Sequence, residues 1–199
     1  MRPEVSGRRP RRRAMFATAS LVGTLAAVPS WPSAGAQTGA SPPHASATVT
    51  CGQTITRSTT LVSDVGPCPG DGIIIGADNI TLNLNGRTIS GTPGPGNGNA
   101  AGVRLPNRTG VTVTGLPGGS GMKGTVTGFD AGVFINRGSG NIVQNLAVTD
   151  NVGPADTDAL LGDGIAVFYS ANNKILNNLV ARNGLYDGIG ILGLGSDNN

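Results

Sequence analysis

Aromatic and charged side chains are scarce in this sequence. Aromatic residues make up 4% and charged residues 13% of its 199 residues. Because soluble domains carry about 25% charged residues, the low charge content excludes a chain that charge repulsion keeps disordered. The 33 glycines, combined with so few aromatic residues, disfavour an ordinary helical bundle and favour turns and short strands.

Positive charge is missing from most of the chain, although the whole sequence carries +3. Beyond residue 36 there is no glutamate, and eight Lys and Arg stand against ten Asp, a net charge of −2. Six further arginines all precede residue 14. A nucleic-acid partner therefore lacks electrostatic support, and we predict none.

The first 36 residues are typical of an export signal. Basic residues 8–13 precede an apolar run at 14–28, and Ala34-Gly35-Ala36 fits a small-x-small cleavage site. The run is short for a membrane span, although a membrane anchor is the alternative interpretation. We therefore predict a signal peptide at 1–36 and a secreted or extracytoplasmic protein with no membrane span after cleavage.

Residues 37–48 show no apolar periodicity and are predicted to form a flexible linker. The only histidine, His44, lies in this linker and has no second residue to share a metal or a catalytic role. The remaining residues, 49–199, form the predicted folded domain.

Cysteine is also rare: Cys51 and Cys68 are the only two, 17 residues apart. A pair of cysteines in an exported chain favours a disulfide over a metal site, which would need further ligands. Closing a loop of this size stabilises a protein by roughly 3 kcal/mol in the chain-entropy account.

The domain contains an internal repeat. A glycine followed by an apolar, alternating triplet recurs at spacings of 30, 30, 32 and 24 residues. The five copies are Gly72-Ile73-Ile74-Ile75, Gly102-Val103-Arg104-Leu105, Gly132-Val133-Phe134-Ile135, Gly164-Ile165-Ala166-Val167 and Gly188-Ile189-Gly190-Ile191. Two further short apolar runs follow each of the first four triplets. Three short strands per unit of about 22–24 residues, once insertions are removed, predict an all-β, right-handed parallel β-helix of about five coils.

Residues suited to a left-handed backbone lie at the second turn of each unit: Asn85-Gly86, Gly124, Asn145 and Asn178. The repeats stop at residue 199 with no atypical polar cap. Because solenoids need such caps, we expect the array to be incomplete at its C-terminal end.

Three segments resemble secreted bacterial proteins with parallel β-helix repeats, of the pectin-lyase-like superfamily. These are Cys51-Gly52-Gln53-Thr54-Ile55, Gly66-Pro67-Cys68-Pro69-Gly70-Asp71-Gly72 and Ile80-Thr81-Leu82-Asn83-Leu84-Asn85-Gly86-Arg87-Thr88-Ile89. The resemblance covers residues 49–199 and implies the fold. It leaves activity open, because the superfamily includes lyases, hydrolases, epimerases, binding proteins and factors for copper-site maturation.

The middle residue of each triplet should point out of the β-helix and form a ladder on its surface. This ladder is Ile74, Arg104, Phe134, Ala166 and Gly190. Arg104 and Phe134 are predicted to bind a uronate carboxylate and a sugar ring, and Tyr186 offers a further ring. The alternative is that Arg104 only covers an exposed Phe134.

Aspartates are concentrated late in the sequence. Asp163 and Asp187 precede the repeating glycine in consecutive units and should stack, while Asp156 and Asp158 lie in an insertion at 153–161. Because glycoside hydrolysis requires paired carboxylates, Asp158, Asp163 and Asp187 are catalytic candidates. All four are candidate calcium ligands, since clustered carboxylate oxygens suit that ion. The alternative is a structural role, because Asp before Gly is a common turn dipeptide.

Two signatures implied by the resemblance are absent. The only tryptophan, Trp31, precedes the predicted cleavage site, so the Trp, Asp and His signature of pectate lyases is missing. The segment Asp156-Thr157-Asp158 only partly matches the Asn-Thr-Asp motif of polygalacturonases. We therefore predict a protein that binds or processes a polysaccharide, most simply an acidic one. The alternatives are an active lyase or glycoside hydrolase completed by residues beyond 199, a structural or adhesive surface protein, or a periplasmic copper-site factor. The sequence does not indicate an oligomeric state.

Overall fold

A computed structural model describes residues 45–92, 99–116, 123–153 and 162–199. In those segments it contains 17 β-strands and no helix. The strands are β1 (Ala45–Ala47), β2 (Gln53–Ile55), β3 (Thr59–Leu61), β4 (Val65–Cys68), β5 (Ile73–Ile75), β6 (Thr81–Asn83), β7 (Thr88–Gly91), β8 (Ala101–Pro106), β9 (Thr112–Thr114), β10 (Thr125–Thr127), β11 (Ala131–Asn136), β12 (Ile142–Gln144), β13 (Ala147–Thr149), β14 (Ile165–Phe168), β15 (Lys174–Leu176), β16 (Leu179–Ala181) and β17 (Ile189–Leu192).

The strands form three parallel sheets, and from β2 onward every third strand along the chain joins the same sheet. The first sheet has the order β2-β5-β8-β11-β14-β17, the second β1-β3-β6-β9-β12-β15 and the third β4-β7-β10-β13-β16. One strand from each sheet makes one coil, and successive coils stack about 4.8 Å apart. The chain is therefore a right-handed parallel β-helix, as the repeat predicts.

The five predicted triplets lie in five consecutive strands of the first sheet, in the expected register. Ile73 pairs with Val103, Val103 with Val133, Val133 with Ile165 and Ile165 with Ile189. The glycine before each triplet is required by close approach between coils. A Cβ on Gly102 would lie 2.2 Å from Cγ1 of Val126 and 2.7 Å from the carbonyl oxygen of Gly132.

One coil is not among the predicted repeats. Strands β2, β3 and β4 form it, and Gln53 pairs with Ile73 of the next coil. Gly52 stands in the phase of the repeating glycines, but Gln53 and Thr54 replace apolar residues and hide the triplet. In addition, β1 pairs with β3, so regular structure begins four residues before position 49.

The interior is one column of aliphatic side chains shared by all coils. Leu82, Val113 and Val143 stack in the second sheet, and Ile89 and Val126 stack in the third. All five are fully buried. Because each coil supplies only a few such residues, stacking is what removes this apolar surface from water.

Asparagine and glycine shape the turns, with one difference from expectation. The residues Asn85, Gly86, Gly124 and Asn145 have positive φ, as predicted. In the next coil it is Asn177, with φ 53°, rather than Asn178 that takes the left-handed conformation. Asn178 instead uses its side chain, whose Oδ1 accepts from the Leu146 amide at 3.0 Å and whose Nδ2 donates to the Val143 carbonyl at 2.9 Å.

The predicted disulfide is present: Cys51 and Cys68 are joined, with an S–S distance of 2.07 Å. Cys51 directly precedes Gly52 at the entrance to the first coil, and Cys68 ends β4 in the same coil. The bond therefore closes the N-terminal coil itself rather than a segment ahead of it.

Candidate functional site

The outer face of the first sheet carries an apolar cluster separate from the core. Its buried members are Ala101, Ala131, Phe134 and Ala166, and Phe168 packs against them. A cavity of about 570 Å³ lies over this face and extends from Arg104 to Leu192, across strands of four consecutive coils. We call this cavity the groove.

Two outward ladders run along this face, and Arg104, Phe134, Asn136, Phe168 and Leu192 from them line the groove. The first is the predicted one, with Ile74 beside Arg104, Arg104 beside Phe134, Phe134 beside Ala166 and Ala166 beside Gly190. The second lies two residues further along each strand and consists of Pro106, Asn136, Phe168 and Leu192. The predicted orientation of the triplets is therefore confirmed.

Arg104 is held in place from within the protein. Its Nε donates to Oδ2 of Asp71 at 2.7 Å and its Nη2 donates to Oδ1 of the same carboxylate at 2.8 Å. The same Nη2 also donates to the carbonyl oxygen of Asn99. With its guanidinium 5.3 Å from the Phe134 ring centroid, Arg104 covers that ring. Because Asp71 neutralises it, Arg104 has little capacity left for the carboxylate of a ligand.

The aromatic floor of the groove continues from Phe134 to Phe168. Their ring centroids are 5.3 Å apart and the ring planes meet at 83°, an edge-to-face arrangement. Phe134 is buried, while Phe168 is only partly buried and faces the groove. Phe168 is therefore the ring of this pair that a ligand can reach.

Arg137 and Tyr169 stand at the end of the groove and were not identified from the sequence. Each directly follows a strand of the first sheet, and the guanidinium of Arg137 lies 5.8 Å from the Tyr169 ring centroid. The Arg137 side chain makes no hydrogen bond or ion pair to any part of the chain that the structure describes. It thus offers a cation that none of the described residues neutralises.

Both residues occupy a backbone position that favours other residue types. Four consecutive coils place a positive φ there: 54° at Asn107, 53° at Arg137, 51° at Tyr169 and 98° at Gly193. Asparagine and glycine adopt this conformation readily, whereas other L-residues pay about 1–2 kcal/mol. The signal that would have found Arg137 and Tyr169 is therefore their position in this turn, aligned with Asn107 and Gly193.

Asp163 lies where the predicted stacking places it, next to Asp187 of the following coil. Its Oδ1 accepts from the Asp187 amide at 2.8 Å, and it is 2% exposed. Burial raises its pKa; the hydrogen bond from the Asp187 amide opposes this shift, and the Asp187 carboxylate adds to it. The equivalent acid of an earlier coil, Asp71, has Arg104 as its partner. Gly190 occupies the position, relative to Asp163, that Arg104 occupies relative to Asp71, so it supplies no cation there. A Cβ at Gly190 would lie 2.6 Å from Oδ2 of Asp163.

Of the other predicted site residues, the three that the structure describes, Asp163, Asp187 and Tyr186, do not line the groove. Asp156 and Asp158 lie outside the described residues. Tyr186 is 53% exposed, and its ring packs against Gly162. Within the described segments, no group of three or more His, Cys, Asp or Glu side chains is arranged to hold a metal ion. Asp163 and Asp187 therefore lack a third metal ligand of these types there.

Comparisons with protein-family models, curated proteins and solved structures gave no match to this chain. Across the portions of the chain for which structure is given, no helix has the length and apolarity needed to cross a membrane. The fold and the site therefore define the class: a right-handed parallel β-helix with a groove of aromatic and arginine residues on its first sheet.

Proposed function

We propose that this is a secreted polysaccharide-binding protein, similar to pectin-lyase-like proteins, and that the groove holds the sugar chain. The observation that carries the proposal is the exposed Tyr169 beside the guanidinium of Arg137, which pairs with no acid among the described residues. Sugar rings present C–H faces that pack on aromatic rings, and a guanidinium binds carboxylates and sulfates through paired hydrogen bonds. The disulfide agrees with an oxidising, extracytoplasmic location.

The groove has the form that such a ligand needs. It is elongated across coils, its floor is apolar from Phe134 to Phe168, and polar groups lie at its margin, among them Asn136. Arg104 fixes the floor by covering Phe134, so it is a positioning residue in this proposal. The ligand's anionic group is assigned to Arg137.

Two tyrosines allow a matched test. Tyr169 in the groove and Tyr186 outside it are both 53% exposed. Native electrophoresis through gels containing acidic or neutral polysaccharides, followed by titration calorimetry, should show binding by the wild type. We expect Tyr169→Asn to weaken binding about 2- to 12-fold, the value of one aromatic contact of about 0.5–1.5 kcal/mol. Tyr186→Asn should leave it unchanged.

The opposite pattern would assign the ligand to Tyr186, as the sequence suggests. No retardation by any polysaccharide would reject the proposed function and favour a structural or adhesive role.

Polysaccharide cleavage is the second candidate function, and Asp163 is the observation that favours it. Burial raises the pKa of the Asp163 carboxyl group, which is the direction that a general acid needs, and Asp187 supplies the second carboxylate. The assay measures new reducing ends for a hydrolase and absorbance of unsaturated ends for a lyase. Turnover that disappears in Asp163→Asn while binding persists would establish an enzyme.

A further inference from the structure

We infer that the groove selects a polysaccharide in which anionic sugars are separated by neutral ones, over a polymer with a charge on every sugar. This rests on the proposed function, since it specifies the ligand of the same groove. It follows from how charge is distributed along the β-helix axis.

The groove is long enough to contact several sugars. Its lining comes from four neighbouring strands of the first sheet, β8, β11, β14 and β17. With coils stacked about 4.8 Å apart, three intervals span about 14 Å. An extended polysaccharide advances by about one coil spacing per sugar, so a chain lying along the axis places one sugar against each coil.

Among the described residues with which these coils line the groove, one cation lacks a hydrogen-bonded or ion-paired partner. The first presents Arg104, whose charge is cancelled by Asp71 at 2.7 Å. The second presents Arg137. The third presents Phe168 and Tyr169, and the fourth presents Leu192, which is 55% exposed.

A sugar carboxylate therefore gains a partner at one position and loses solvation at the next. Beside Arg137 it forms charge-assisted hydrogen bonds. Against Phe168 and Leu192 the same group is partly desolvated without a counter-charge, which is unfavourable, whereas the C–H face of a neutral sugar packs well there. On the other side of Arg137, the Asp71–Arg104 pair attracts no additional anion.

The experiment compares ligands that share one backbone and differ in charge spacing. The probes are oligogalacturonides of equal length with all carboxylates free, with about half of them methyl-esterified, and with all of them esterified. A hyaluronate hexasaccharide, in which acidic and neutral sugars strictly alternate, serves as a second probe. Affinities are measured by titration calorimetry on the full chain.

We expect the half-esterified oligomer and the hyaluronate hexasaccharide to bind about tenfold more tightly than the fully charged and fully neutral oligomers. In Arg137→Asn the affinity for the half-esterified oligomer and the hyaluronate hexasaccharide should fall to the affinity for the neutral oligomer. Arg87→Asn, which changes an exposed arginine away from the groove, should leave the preference intact. Asn is chosen at 137 because Asn107 occupies the same left-handed position one coil earlier.

The outcomes separate the two proposals. Tightest binding to the fully charged or the fully neutral oligomer, still weakened by Tyr169→Asn, would overturn the inference and leave the groove as the binding site. A preference for spaced charge that survives Arg137→Asn would also overturn it. Absence of binding by all probes would reject both proposals.

Discussion

Replacing Arg137 by asparagine should separate the contribution of this residue to binding from its contribution to stability. The side chain offers a guanidinium to the groove, but the backbone at this position has φ 53°. Arg137→Ala and Arg137→Asn remove the same cation, and they differ in how well the new residue tolerates a left-handed backbone.

The magnitudes follow from these two features. Removing the guanidinium should cost about 1.5–3 kcal/mol of ligand binding, the value of a hydrogen bond to a charged group, which is about tenfold or more in affinity. For stability, alanine keeps the left-handed penalty of about 1–2 kcal/mol, which asparagine largely avoids. Loss of the contact with Tyr169 costs both variants about 0.5–1 kcal/mol.

Urea denaturation, thermal melting and calorimetric titration on the same samples test this prediction. We expect both variants to lose affinity equally, with Arg137→Asn about 1 kcal/mol more stable than Arg137→Ala and close to the wild type. In a domain of this size, 1 kcal/mol corresponds to about 2–4 °C in Tm. Asn107→Ala provides the reciprocal control, since it should lose about 1 kcal/mol at the same turn without any change in affinity.

Two results would refute this reasoning. If Arg137→Asn were more than 1 kcal/mol less stable than the wild type, Arg137 would have a structural role. If Arg137→Asn lost stability only slightly and bound ligand as well as the wild type, the cation would lie outside the binding site.

Three further predictions concern the rest of the β-helix. Because burial raises the pKa of Asp163, the folded state holds its proton more tightly than the unfolded chain does, and stability falls as pH rises from about 3.8 through the raised value. Asp163→Asn should therefore be more stable than the wild type at pH 7, and melting curves should show this difference shrinking towards pH 4. A calcium-dependent rise in Tm that only the wild type shows would establish Asp163 as a calcium ligand. Replacing both Cys51 and Cys68 by serine should lower the free energy of unfolding by roughly 3 kcal/mol, and thiol titration of the unfolded, unreduced wild type should find no free thiol. Asp71→Asn should break the ion pair with Arg104 and lower the free energy of unfolding, measured by urea denaturation, by about 1–3 kcal/mol. A loss no larger than that of Asp197→Asn, the control at an exposed aspartate, would contradict a stabilising role for this pair.

The fold was predictable because each coil repeats the same physical requirements. A glycine is needed where the coils approach closely, as at Gly102, and apolar residues alternate where the strands face the core. These requirements fixed both the strands and the outward ladder that contains Arg104 and Phe134. The first coil was missed because Gln53 stands where the triplet requires an apolar residue, and pairing with Ile73 stabilises the strand instead.

The site was less predictable, for two physical reasons. The partner of Arg104 is Asp71, 33 residues earlier, and their contact depends on how the side chains are arranged across adjacent coils. Periodicity alone therefore identified Arg104 without showing that its charge was already neutralised. Arg137 lies just beyond its strand, where a pattern of alternating strand residues does not extend.

The turn after the first-sheet strands shows what a search for sites in a β-helix can use. Asn107 and Gly193 show which residues this turn accepts at little cost, and Arg137 and Tyr169 occupy the same position at a conformational cost of about 1–2 kcal/mol each. The contact between these two side chains is an exposed one worth about 0.5–1 kcal/mol, which is less than that conformational cost. Under the proposed function, a bound sugar would add its contacts to the same guanidinium and ring. In a stack of near-identical coils, a residue that the turn does not favour and that faces a groove is therefore a stronger indication of a site than an aspartate that a turn favours.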